Sequence, residues 1–244
     1  METRVKKGKK LRLNYKRLFH FVLILAIIIG VIYYFLNLKI RFIEINGTQY
    51  LTDTEIITQA NIKDYPNIFS LNTLNINNNL KELPLVNDVN IKENIWGKLT
   101  INIDESKVLF FNKTNNKVIL SNSKEINNDS RFLGVPTLLN YVPDDIYTDL
   151  INGLTKIDGN VLRMISEIEY SPSKSANGEV IDNTRFLLRM NDGNTVYMNT
   201  INITQLNKYM EICSAILATQ GEKSGTLYLD SSTEENYSFE SYTN

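Results

Sequence analysis

The 244 residues include one cysteine, Cys213, one histidine, His20, and one tryptophan, Trp96. A lone cysteine excludes an intrachain disulfide, so stability has to come from ordinary apolar cores. With one histidine and one cysteine, no His/Cys cluster can close a zinc site. Cys213 falls on the apolar face of a helical pattern with no histidine to activate it, which reads as a small core side chain. His20 lies at the edge of an apolar run and reads as an interfacial side chain. No phosphate-binding loop is present: "GEKSGT" at 221–226 has the residue types without the spacing. "NDGN" at 191–194 reads as a hairpin turn rather than a calcium loop. Glu234-Glu235 reads as a solvated pair. No catalytic residue, metal or cofactor is therefore expected, although two carboxylates far apart in sequence could still converge in space.

A net charge is also lacking, with 26 basic against 27 acidic residues, but the two signs are segregated. Residues 1–20 hold eight Lys/Arg and only Glu2, which leaves 18 basic and 26 acidic residues for the rest. The acidic body argues against nucleic-acid binding. Five Asn-x-Ser/Thr triplets occur, at Asn46, Asn112, Asn128, Asn202 and Asn236. So asparagine-rich a chain would hold about that many by chance, so they are no evidence of glycosylation.

The sequence has one long hydrophobic run, "FVLILAIIIGVIYYFL", from Phe21 to Leu36. Extended back to Leu18 it would span about 28 Å as a helix, close to a hydrocarbon core of roughly 30 Å. Tyr33 and Tyr34 fall where aromatic rings favour the membrane interface. Lys6, Lys7, Lys9, Lys10, Arg12, Lys16 and Arg17 precede the run, so the positive-inside rule puts the N-terminus in the cytoplasm. This tail could also touch anionic lipid, though setting topology is the simpler role. The competing readings are a cleaved signal peptide and a buried soluble helix. The first wants a small-x-small cleavage site, and "NLKIRF" follows instead.

Beyond the run, Ile40, Phe42/Ile43 and Ile45 mark a strand, and Asn46-Gly47 a turn. Thr52 and Glu55 form a capping-box pattern for a helix over 53–60 that buries Ile56, Ile57 and Ala60. A second helix, burying Leu74, Ile76, Leu80 and Leu83, is stopped by Pro84. Residues 85–107 read as a hairpin turning at Trp96-Gly97-Lys98, with Ile95 on its first strand. Residues 107–231 are strand-rich. They hold a hairpin turning at Asn115-Asn116, a helix over 144–157 and a loose alternation of Met164, Ile168 and Tyr170. A hairpin turning at Asp192-Gly193 follows, then a helix with Leu206, Tyr209, Met210, Cys213, Ile216 and Leu217 on one face. Gly225–Asp230 is the last strand, and "SSTEENYSFESYTN" reads as disordered.

The order strand, helix, helix, strand, strand resembles a POTRA domain, and specifically that of the DivIB/FtsQ family of bacterial cell-division proteins. The likeness rests on "IEINGTQYLTDTEI", on Asn67-Ile68-Phe69, on Leu83-Pro84 with Val86, and on the tryptophan-led hairpin. Two departures occur: Gly97 stands where the family has proline, and Glu105-Ser106-Lys107 lacks the usual Arg-Pro. The helix before "GTLYLD" and the "LRMNDGNTVYM" hairpin resemble the close of the family's β domain. A POTRA domain ahead of an outer-membrane barrel does not fit, since too little chain follows.

Together these readings predict an α+β chain. Its parts are a basic cytoplasmic tail (1–17), a transmembrane signal anchor (18–37), a POTRA domain (38–106), a β domain (107–231) and a disordered acidic tail (232–244). The resemblance implies a bitopic, non-enzymatic assembly protein of the division septum. Its partners would be the lipid bilayer and the single-span division proteins FtsL and DivIC (FtsB in other bacteria), with no nucleic acid and no small-molecule substrate. Gly225, Thr226, Leu227, Tyr228, Leu229 and Asp230 are the candidate partner-binding residues, as an open sheet edge that a partner strand could extend. An ordinary strand with a solvated edge is the plain alternative. Two other functions remain as rivals: a carboxylate-only cell-wall hydrolase, and an outer-surface sensor or adhesin module.

Overall fold

The computed structural model describes residues 14–221, 224–230 and 237–242. Lys6, Lys7, Lys9, Lys10 and Arg12 lie outside the described residues, as do Glu222-Lys223 of "GEKSGT" and Glu234-Glu235. The chain opens with α1 (Tyr15–Leu36), carrying Lys16 and Arg17 in its first turn, and none of its residues is buried. At 1.5 Å per residue its 22 residues span about 33 Å. It is the one helix among the described residues long and apolar enough to cross a membrane. Nδ1 of His20 lies 2.6 Å from the Lys16 carbonyl oxygen inside this helix.

A three-stranded sheet follows within six residues. Its strands are β1 (Phe42–Asn46), β2 (Val86–Glu93) and β3 (Lys98–Glu105) in the order β1-β3-β2, with β1 parallel and β2 antiparallel to β3. Helices α2 (Asp53–Gln59) and α3 (Thr73–Lys81) bury Ile56, Ile76 and Leu80 against Leu99 and Ile101. The capping box forms: Thr52 N–H donates to Glu55 Oε2 at 2.9 Å, and Glu55 N–H donates to Thr52 Oγ1 at 3.3 Å. Full burial of each such aliphatic side chain contributes about 1.5–3 kcal/mol.

Three local expectations are corrected. Leu74 is exposed, because Asn72 caps α3 and Leu74 falls in its outward first turn. Helix α3 ends at Lys81, short of Pro84. Ile95 leaves the strand and projects from the turn over 94–97, where the Asn94 side chain accepts from the N–H groups of Trp96 and Lys98.

Both departures from the family pattern have structural reasons. Gly97 has φ of +87°, which proline cannot adopt, and a Cβ there would lie 2.8 Å from the Lys39 carbonyl oxygen. The Glu105 carboxylate accepts the backbone N–H groups of Gln49, Tyr50 and Leu51, fixing the loop before α2. Ser106 is buried, and its Oγ accepts from Asn122 Nδ2 at 2.8 Å, while Asn122 also donates to the Pro84 carbonyl at 3.0 Å. Arginine at 106 would lose this clasp, and proline at 107 would lose the N–H that donates to Ser121 Oγ at 3.0 Å.

The rest of the chain forms one nine-stranded sheet and a small hairpin. The elements are β4 (Val108–Asn112), β5 (Lys117–Leu120), β6 (Glu125–Asn127), β7 (Thr137–Leu138), α4 (Asp144–Thr155), α5 (Gly159–Met164), β8 (Ile165–Tyr170), β9 (Ser173–Lys174), β10 (Val180–Asp182), β11 (Arg185–Met190), β12 (Thr195–Asn199), α6 (Tyr209–Gln220), β13 (Gly225–Tyr228) and β14 (Ser238–Ser241). The sheet runs β14-β13-β12-β11-β8-β7-β4-β5-β6, while β9 and β10 pair separately. Helices α4, α5 and α6 cover one face over a core that includes Phe110, Leu150, Ile168, Phe186 and Leu188. The other face at the β4–β5 end does something different. Val108, Val118 and Leu120, with Phe132, join the core of the first unit. Apolar packing therefore crosses position 106 without a break.

The loose alternation around 164–170 resolves into a helix ending at Met164 and a bulged strand. Arg189 pairs with Glu167 and Met190 with Ile165, so Ser166 is the extra residue. Ile165 and Ile168 thereby both face the core. On α6 the inward residues are Tyr209, Ile212 and Ile216, with Cys213 half-buried. Met210 and Leu217 are exposed, contrary to expectation. A 3₁₀ turn over Ile203–Lys208 precedes α6 and shifts the helical phase that a continuous pattern would give.

Candidate docking site at the end of the large sheet

The expectation that residues 225–230 form the open edge is corrected. Strand β13 pairs in parallel with β12 and antiparallel with β14, so the sheet ends on β14. Part of the segment expected to be disordered is thus a strand. The reason is apolar: Phe239 lies opposite Leu227, continuing the row Ile168–Leu188–Val196–Leu227 on the helix-covered face. Gly225 makes the approach possible, because a Cβ there would strike the Glu240 carbonyl oxygen and the Phe239 ring.

Among the described residues the opposite face of these strands carries no helix, and its side chains form an ordered array. The Arg185 guanidinium lies 3.8 Å from the Tyr197 ring centroid, and Tyr197 stacks on Tyr228 with centroids 5.3 Å apart and planes 14° apart. Asp230 fixes the top of the stack: its Oδ2 accepts from Arg185 Nε at 2.7 Å, with both side chains only 18% exposed. The Tyr228 hydroxyl donates to Glu240 Oε2 at 3.2 Å, and the Tyr242 hydroxyl donates to Thr195 Oγ1 at 2.7 Å. Burial, then the Glu240 carboxylate, holds the Tyr228 hydroxyl above the ordinary tyrosine value. Beside the stack, Arg189 pairs with Glu167 at 2.8 Å and Glu169 at 3.4 Å.

A buried latch positions this array. The hidden Tyr209 hydroxyl donates to Asp192 Oδ2 at 2.8 Å and accepts from Asn194 Nδ2 at 2.9 Å. Asn194 Oδ1 in turn accepts the N–H of Gly225 at 2.9 Å, setting the start of β13. "NDGN" is therefore the hairpin turn expected of it, with Gly193 at φ +91°. Burial pushes the Cys213 thiol above its ordinary value, which disfavours the reactive thiolate. Among the described residues no group of three or more His, Cys, Asp or Glu side chains could hold a metal.

Of the candidate residues, Thr226, Tyr228 and Asp230 join the array, while Gly225, Leu227 and Leu229 are buried. Tyr33 and Tyr34 lie on the last turn of α1. Sequence reading missed Arg185, Tyr197 and Glu240. Arg185 and Tyr197 sit at outward positions of alternating strands, and the pairing that aligns them with Tyr228 cannot be read from spacing within either strand.

Residues 38–106 match the family model for the FtsQ-type POTRA domain. The chain is 28% identical over 185 residues to the cell division protein DivIB of Brevibacillus brevis, covering 73% of this chain and 67% of that one. It is 25% identical over 217 residues to DivIB of Bacillus cytotoxicus, covering 87% and 82%. The chain is thus similar to the DivIB members of the DivIB/FtsQ family over most of its length. A further DivIB/FtsQ-family match, to DivIB of Staphylococcus aureus, is 27% identical over 186 residues, with 74% of this chain and 40% of that one covered. The solved extracytoplasmic domain of DivIB from Geobacillus stearothermophilus aligns at 21% identity with a TM-score of 0.34, covering 47% of this chain and 92% of that one.

Proposed function

We propose that this is a bitopic cell-division protein that assembles other membrane proteins of the divisome. The observation that carries this reading is an FtsQ-type POTRA domain joined within a few residues to a single exposed apolar helix. The basic tail before α1 stays in the cytoplasm, and the two folded units lie outside the membrane, at the septum during division. We divide the chain into a tail (1–17), an anchor (18–37), a POTRA domain (38–106) and a β domain from 107 onward, which β14 extends past 231. The mechanism is recruitment without bond chemistry. A one-pass anchor confines the protein to two dimensions, which raises effective concentration and lets weak contacts suffice.

FtsL-like and DivIC/FtsB-like single-span proteins dock at the far end of the large sheet. Thr226, Tyr228 and Asp230 present side chains there, and Arg185 and Tyr197 enlarge the surface. Stacked aromatic rings with a fixed guanidinium are the residue types that carry binding energy at interfaces.

A fluorescent fusion imaged in dividing cells tests the assignment: a band at mid-cell, forming with constriction, is expected. A uniform envelope signal throughout the cycle would overturn it. Protease added to intact protoplasts should remove residues beyond about 40, which checks the orientation.

A further inference from the structure

At the anchor end the folded unit touches the helix directly. The Asn67 side chain donates to the carbonyl oxygens of Phe35 at 3.1 Å and Leu36 at 2.5 Å, capping the C-terminus of α1. The Ile68 N–H donates to the Leu38 carbonyl at 2.9 Å, the Ile40 N–H to the Pro66 carbonyl at 3.1 Å, and the Phe69 and Phe35 rings meet edge-on at 5.3 Å. On the other side, the Arg41 N–H donates to the Gly97 carbonyl at 2.7 Å. The loop over 65–69 and the turn over 94–97 therefore bracket residues 37–41. Strand β1 runs away from the anchor beginning at Phe42, opposite Lys98, so the β2–β3 turn is the membrane-side end of its sheet.

The tip gathers three large exposed apolar side chains on the two bracketing loops. Phe69 is 55% exposed, Ile95 61% and Trp96 74%. Lys39 and Arg41 line one groove with Tyr33 and Tyr34 of α1 and form no ion pair among the described residues. Aromatic rings at the head-group level and cations beside lipid phosphates are what an interfacial layer favours. That layer is about 5–8 Å deep on each side of the hydrocarbon core. Asn67, bonded to the last carbonyls of the helix, is already at its inner boundary. The Arg41 N–H bond to the Gly97 carbonyl ties the turn to the short segment that follows the helix.

We propose that the tip formed by Phe69, Ile95 and Trp96, with Lys39 and Arg41, is seated in the lipid head-group layer. This rests on α1 spanning the bilayer. The occupant of this exposed surface is lipid because it continues the surface of the span itself. Three contacts, the helix end and two loops, would hold the folded unit at a fixed tilt, where a flexible stalk would let it swing.

Trp96 is the only tryptophan, so the full-length chain reports on its own tip. It is reconstituted into phosphatidylethanolamine/phosphatidylglycerol vesicles carrying spin labels either near the head group or deep in the acyl chain. Vesicle flotation establishes insertion in the same sample. The expected result is a blue-shifted emission, quenched strongly by the shallow label and weakly by the deep one, with little quenching by aqueous acrylamide. Flotation with free access of acrylamide and no lipid quenching would overturn the tip contact while leaving the anchor intact. Protection from acrylamide without lipid quenching would assign the surface to a second copy and also overturn it. Failure to float would remove the anchor reading, and this proposal with it.

Discussion

The two ends of the folded arm beyond α1 both expose aromatic rings, but in different ways. At the distal end, Tyr197 and Tyr228 are stacked, covered by Arg185, and held through Asp230 and Glu240. At the anchor end, Ile95 and Trp96 project from a turn whose hydrogen bonds are all made by the backbone and Asn94. A polar frame around apolar side chains holds one geometry, which suits a protein partner. Apolar side chains without such a frame suit a fluid partner that supplies no fixed shape. Between the two ends, packing that crosses residue 106 makes the arm continuous.

The largest expected effect attacks that continuity. Leu120 is fully buried in the core of the first unit although it lies beyond residue 106. Leu120→Ala should cost about 2–5 kcal/mol. Hydrogen exchange should speed up in β1–β3 as well as in β4–β5. Loss of protection confined to β4–β5 would make the two units independent.

Next comes the latch under the distal array. Tyr209→Phe removes two hydrogen bonds at a buried site and should cost about 1–3 kcal/mol, measured by urea unfolding. Burial, then the bond to Asp192, raises the Tyr209 hydroxyl far above the usual tyrosine value. A group raised in the folded state stabilises fully below its unfolded value and loses that contribution as pH climbs. Stability of the parent should therefore fall as pH rises past about 10, and Tyr209→Phe should flatten that fall.

Gly225→Ala should expel β14 through the clash with Glu240 and Phe239, at a cost of about 1–3 kcal/mol. Limited proteolysis after residue 230 should become rapid while β11 and β12 stay protected. The smallest effect belongs to the anchor end. Trp96→Ser should change thermal stability by less than about 0.5 kcal/mol, because the ring is exposed and unframed. A larger loss would mean that Trp96 packs on the protein itself, which would erase the contrast between the ends.

The first unit was the more legible of the two in the sequence. The capping box of Thr52 and Glu55, the strict alternation of Leu99, Ile101 and Ile103, and the Asn67 segment are signals carried by residues a few positions apart. The second unit was harder because its decisive contacts are distant. The bulge at Ser166 broke the two-residue period of β8, and the 3₁₀ turn before α6 moved its buried face from Met210 and Leu217 to Ile212. The 125–138 stretch shows no sustained alternation, and its strands β6 and β7 are held mainly by pairing with β5, β4 and β8. Among candidate site residues, Tyr228 was visible from alternation alone, whereas Arg185, Tyr197 and Glu240 needed the strand order.

Sequence alone determined the long apolar helix, the charge asymmetry about it, and the elements of the first unit, since hydropathy, capping and alternation are local properties of the chain. Tertiary structure decided that β14 closes the sheet, that Leu120 belongs to the core of the first unit, and that Asn67 caps α1. Each of those depends on apolar surface or an unsatisfied backbone group finding its partner across tens of residues, and no periodicity within a segment encodes that pairing.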